Sequence, residues 1–134
     1  MIEFRLDSRT GVTTYLQLVQ QVRHALRLGH LRPGDQLPTV REVVAKLAIN
    51  PNTVLKAYRD LEREGLVAGR PGTGTFVREN VQIGPRAGQA ALRSGLSRWM
   101  QRAREAGLDE TDLRALFEEA VRQDAEYPAA EAAP

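Results

Sequence analysis

Asn52, Lys56, Arg59 and Arg63 stand four, three and four residues apart. At about 100° per residue, that spacing puts all four on one ridge of an α-helix. The ridge holds one amide and three cations, and Asp60 and Glu62 fall to its flanks. An asparagine amide can pair two-pronged with adenine, and lysine or arginine can meet guanine at O6 and N7. On an isolated helix the same ridge would be an ordinary solvated face. Its meaning depends on the elements that hold the helix and lie beside it.

The other side of this helix is apolar: Val54, Ala57, Tyr58 and Leu61 cluster there and should bury. Asn50 is a favoured N-cap, and Pro51 loses nothing at the first helical position, where its N–H would be unpaired anyway. The helix is predicted to run to Glu64 and to stop at Gly65. A shorter helix precedes it. Pro38 excludes helix at the residue before it, and Thr39 and Glu42 have capping-box spacing. Val40, Val43, Val44 and Leu47 then form one apolar face that ends near Ala48. The turn Ala48-Ile49-Asn50 is so short that the two helices must cross steeply, as in a helix-turn-helix.

Upstream, a helix is predicted from Thr14, with Thr14 and Gln17 at capping-box spacing. It carries Tyr15, Leu18, Val19, Val22, Ala25 and Leu26 to a left-handed cap at Gly29. Residues 2–6 alternate apolar and polar and are predicted as a short edge strand. His30 to Pro38 reads as a loop with a turn at Pro33-Gly34-Asp35. Downstream, Leu66 to Ala68 and Thr75 to Val77 are β-compatible runs joined by a glycine-rich hairpin loop.

In that setting the ridge suits the major groove of DNA. Residues early in a recognition helix reach bases, and later ones meet phosphate. Asn52, Thr53 and Lys56 are therefore assigned to base edges or nearby phosphate, with Asn50 beside them and Arg59 behind. Arg63 is read as solvated. Thr39 and Arg41 open the short helix, where free N–H groups attract phosphate. The hairpin loop has neither phosphate-loop nor dinucleotide-binding spacing. It reads as a wing tip in which Arg70, Gly72 and Thr73 approach the sugar-phosphate strand.

Composition agrees. Net charge is +2, yet residues 1–84 hold 12 basic against 8 acidic side chains, and residues 85–134 hold 7 against 9. The first part is the better partner for a polyanion. With no cysteine, disulfides, thiolate metal sites and a cysteine nucleophile are excluded. No apolar run approaches the roughly 20 residues that span a bilayer, and the first ten residues lack a signal peptide's apolar stretch. The reading is a cytoplasmic protein that is not an enzyme. His24 and His30 are the only histidines and have no plausible partner, so neither a metal nor another cofactor is expected.

Combined motifs over roughly residues 2–78 resemble the GntR family of bacterial regulators. They are Tyr15-Leu16-Gln17, the run from Gly29 to Pro38, Arg41-Glu42, Gly65-Leu66-Val67, and Gly72-Thr73-Gly74-Thr75-Phe76-Val77. Asn50-Pro51-Asn52-Thr53-Val54, Ala57-Tyr58 and Leu61-Glu62 look like the YtrA-type subfamily. The resemblance implies DNA contacts at Arg41, Asn52, Thr53 and Gly72 with its neighbours. Pro51 and Leu55 stand where many members have arginine, and Lys56 is adjacent to the second of these. Thr39 replaces the more usual serine and keeps the cap. The resemblance also implies a homodimer and, often, repression of the protein's own operon together with an ABC transporter.

The fold class expected is mainly α with a small β-hairpin. A winged helix-turn-helix domain (1–80) and a linker (81–88) precede two helices for dimerisation (89–127) and a disordered tail (128–134). Leu92, Leu96, Trp99, Met100 and Ala103 stripe the first of the two helices, and Leu113, Leu116, Phe117, Ala120 and Val121 the second. Two short helices cannot bury both stripes alone, so a partner chain is the economical cover, with the DNA-binding domain as the alternative. Two rival functions stand beside this reading. One is a winged-helix protein-interaction module that binds no DNA. The other is an effector-gated switch with a pocket near Trp99, Phe117 and Tyr127, for an effector the sequence does not name.

Overall fold

A computed structural model describes residues 1–81 and 88–126, and the chain divides into two compact units, Met1–Arg86 and Ala87–Pro134. In the first unit, helix α1 spans Thr14–Leu28, α2 Val40–Leu47 and α3 Pro51–Arg63, followed by strands β1 (Val67–Arg70) and β2 (Gly74–Val77). Its core is made by Leu18, Val22 and Leu26 of α1, Val43 of α2, Val54, Ala57, Tyr58 and Leu61 of α3, and Val67 and Val77 of the hairpin. This is the mainly helical winged helix-turn-helix expected from the sequence.

Local chemistry explains the boundaries. Thr39 and Glu42 form the reciprocal capping box at the start of α2, which satisfies backbone N–H groups the helix leaves free. The Asn50 side chain caps α3 by accepting from the Asn52 N–H at 2.8 Å, with Pro51 in the first turn. Between these helices Ala48 takes a left-handed conformation at φ 54°, which turns the chain in three residues. The buried Tyr58 hydroxyl donates to the Pro38 carbonyl at 2.6 Å and so ties α3 to the entry of α2. Burial, helped by the charge of Glu42, pushes the Tyr58 pKa well above that of a free phenol.

The two strands pair antiparallel, with Val67 opposite Val77 and Arg70 opposite Gly74. They run further into the predicted loop than the sequence suggests, leaving Pro71-Gly72-Thr73 as the turn. The segment predicted as a plain loop contributes a third, short edge. The Leu37 N–H donates to the Thr75 carbonyl at 2.8 Å, the Gly34 N–H to Val77, and Val77 back to Asp35.

Two local expectations are corrected. Residues 2–6 form no strand. Phe4 is buried, and Gln21 of α1 both donates to and accepts from the Arg5 backbone. A side-chain amide thus takes the place of a neighbouring strand, so no sheet is needed. The Thr14–Gln17 box does not form either, because Thr13 precedes the helix and caps nothing with its side chain. Gln17 instead binds the Asp7 backbone at N and O and the Val12 carbonyl.

In the second unit, α4 spans Gln89–Glu105 and α5 Glu110–Glu126. Asp109 and Asp112 cap the start of α5 reciprocally, each carboxylate accepting from the other's N–H. Ala103 and Leu113 are buried and Trp99 and Met100 partly so, whereas Leu92 is 75% exposed and Phe117 56%. Most of the predicted linker, Tyr127 and the tail 128–134 lie outside the described residues.

Replacing Tyr58 by phenylalanine would strand the Pro38 carbonyl. Tyr58→Phe is expected to cost about 1–3 kcal/mol, measured by urea unfolding; an unchanged midpoint would remove this tie from the account.

Candidate nucleic-acid interface

Helix α3 is polarised. Val54, Ala57 and Leu61 are fully buried, while Asn52, Lys56, Arg59 and Arg63 are all exposed. The polarity follows from spacing: once the core takes the apolar stripe, the polar ridge must face out. Helix α1 backs α3 on its buried side, and the Arg23–Glu64 ion pair ties α1 to the C-cap of α3. The Arg23 hydrogen bond holds the Glu64 carboxyl below its ordinary pKa, against the opposing effect of burial and with the help of the Arg23 charge.

The outer ridge is not uniform. Among the described residues, the side chains of Asn52, Arg41 and Arg59 make no hydrogen bond or ion pair within the unit. Arg63 pairs with Asp60 at 3.5 Å, its side chain otherwise largely exposed. Lys56 lies with its Nζ 3.8 Å from the centroid of the Tyr15 ring. Thr39 is engaged as the cap of α2 through its hydroxyl, and Arg41 is exposed in the first turn beyond it.

The wing is built by its own sequence. Pro71-Gly72 makes a tight turn, with the Thr73 N–H donating to the Arg70 carbonyl at 2.9 Å and Gly72 at φ 74°. Such a turn requires a positive φ at its third position, which glycine adopts without penalty. Gln36 donates to the Thr73 carbonyl at 3.2 Å and braces the tip from outside the hairpin. A side chain at Gly74 would come within 2.6 Å of that Gln36 amide. The guanidinium of Arg70 stacks over Phe76 at 4.4 Å.

The sequence singled out these cations but not the rings that seat Lys56 and Arg70, Tyr15 and Phe76, nor Gln36 as the brace of the wing tip. The Tyr15–Lys56 pair joins two helices distant in the chain, and no local pattern signals it. Phe76 lies diagonally across the hairpin from Arg70 once the register is known, so that signal was available after the strands were placed.

A compact three-helix unit, a short turn before a helix with a cationic outer face, and a braced wing define a winged helix-turn-helix DNA-binding protein. Comparison with known proteins makes this specific. Residues 14–77 match the model of the gntR family of bacterial regulatory proteins. The chain is 42% identical over 78 residues to the HTH-type transcriptional repressor YtrA of Bacillus subtilis, a match covering 58% of this chain and 60% of that repressor. It is 35% identical over 99 residues to the HTH-type transcriptional regulator YhcF of the same organism, covering 74% of this chain and 82% of that protein. The structure of YtrA from Sulfolobus acidocaldarius, a GntR-family transcription factor, aligns with a TM-score of 0.53 at 25% identity over 89% of this chain and 97% of that one. The chain belongs to the GntR family and is of YtrA type: a transcriptional regulator with a DNA-binding domain, not an enzyme.

The ion pair behind α3 has a pH signature. Glu64 titrates lower in the folded protein than its ordinary 4.5, so the pair stabilises at neutral pH and loses its effect as pH falls through the folded value. Both partners are about a third exposed, which keeps the contribution below about 1 kcal/mol. Wild type should exceed Glu64→Gln in thermal stability at pH 7, and the gap should close in acid. A gap that widens in acid would contradict the pairing.

Proposed function

We propose that this protein is a repressor that binds a palindromic operator as a homodimer, with its own operon and an ABC transporter as the regulated genes. One observation carries the DNA-docking part: the outer face of α3 offers Asn52, Lys56 and Arg59 to solvent, with Thr53 half-buried beside them, while the opposite face is locked in the core. Asn52 and Thr53 read base edges from the start of the helix, beside Asn50. Arg41 and the first turn of α2 at Thr39 meet phosphate. Arg70, Gly72 and Thr73 bring the wing to the sugar-phosphate strand.

The dimer reading is supported by the second unit. Leu92, Leu96, Leu116, Phe117 and Val121 are exposed large apolar side chains on its two helices. A second copy would cover them together with the half-buried Trp99 and Met100, whereas Leu113, expected to join them, is already buried within its own unit. Repression, autoregulation and the transporter are carried by likeness to the family, including a relative named as a repressor. Among the described residues, no helix is long and apolar enough to cross a membrane, which suits work on DNA in the cytoplasm.

Footprinting on DNA upstream of the protein's own gene tests this. The expected result is a protected palindrome with half-sites about 10 bp apart and a dimer by sedimentation. Asn52→Ala should cost about 1–3 kcal/mol of discrimination between that site and random duplex. Protection without symmetry, or a monomer at footprinting concentrations, would overturn the dimeric reading. Equal losses on both duplexes would make Asn52 a phosphate contact.

A further inference from the structure

Lys56 does not stand free on its ridge. It rests on the Tyr15 ring, and both residues line a shallow groove with Thr13, Thr14, Asn52 and Thr53. We propose that Tyr15 is a positioning residue for DNA binding: its ring holds the Lys56 ammonium at the edge of the recognition face, where it meets a backbone phosphate and not a base. The inference rests on α3 docking in the major groove, and it adds a role for Lys56 and a residue that enforces it.

The physical case has three parts. An ammonium over an aromatic face is attracted by the ring's negative quadrupole, and the ring takes only one side of it. The remaining N–H donors still point outward and can bind an anion. A lysine held this way also surrenders less side-chain freedom on binding than a free one. Finally, the contact ties Lys56 to Tyr15 in the first turn of α1, at the border of the groove that both share with Asn52 and Thr53. Reaching a guanine would require leaving the ring, whereas a phosphate strand bordering the groove would meet the ammonium in place.

The test uses the full chain, the footprinted duplex and a random duplex of equal length, with affinity followed against salt. Lys56→Met is expected to lower the slope of log K against log salt by about 0.9 and to weaken both duplexes alike, roughly five- to tenfold near 0.1 M salt. Tyr15→Leu should weaken both about two- to fivefold, and Tyr15→Phe should keep wild-type affinity, because the ring remains. The Lys56 ε-methylene protons should show a ring-current shift in wild type and Tyr15→Phe and lose it in Tyr15→Leu. A loss confined to the specific duplex at unchanged slope would make Lys56 a base reader and overturn the proposal. Wild-type affinity in a folded Tyr15→Leu would also overturn it. If Tyr15→Leu does not fold, the Lys56→Met slope decides alone, and an unchanged slope overturns the proposal. Should Asn52→Ala also leave both duplexes unaffected, the docking of α3 itself has failed. Should Asn52→Ala act while Lys56→Met does not, only this inference has.

Discussion

Burial of one side of α3 is the constraint on which the rest depends. Val54, Ala57 and Leu61 have no solvent exposure and Tyr58 very little, and burying each large apolar side chain is worth about 1.5–3 kcal/mol. Turning the helix by one residue would carry Arg59 and Glu62 toward the core, where an unpaired charge is far costlier than any gain. The direction of the cationic ridge is therefore set by the interior, not by the ridge. That separation lets the outer residues be chosen for recognition without weakening the fold.

Side-chain amides are the second recurring device. Gln17 and Gln21, one turn apart on α1, hold the backbone of the N-terminal segment, and Gln36 holds the wing tip. Each satisfies main-chain groups where a longer strand would otherwise be needed. The same economy serves the cations: Tyr15 seats Lys56 and Phe76 seats Arg70, so two of the flexible basic side chains at the face are already partly ordered.

Helix α3 was legible in the sequence because several local signals agree there: an Asn N-cap, proline at the first position, helical spacing of Val54, Ala57, Tyr58 and Leu61, and a terminating glycine. The box at Thr39 was legible for the same reason. Residues 2–6 misled because an alternating pattern reports only that one side buries. It cannot distinguish a neighbouring strand from a glutamine that imitates one. Thr14 and Gln17 misled because Gln17 had stronger partners in Asp7 and Val12, outside the helix. The third sheet edge at Gly34–Leu37 was hidden by turn chemistry, since Pro33-Gly34-Asp35 signals a reversal whether or not the flanks pair. Tyr15 beneath Lys56 depends on how α1 packs on α3, which no window of sequence contains.

The central claim is that the exposed side of α3, and not another surface, receives duplex DNA. Chemical-shift mapping of the labelled full chain against a duplex from upstream of its own gene tests this most directly. The largest changes are expected at Asn52, Thr53, Lys56 and Arg59, with further changes at Arg41 and Gly72. Saturable binding that leaves the α3 signals unmoved, with the changes gathered elsewhere on the protein, would contradict the account.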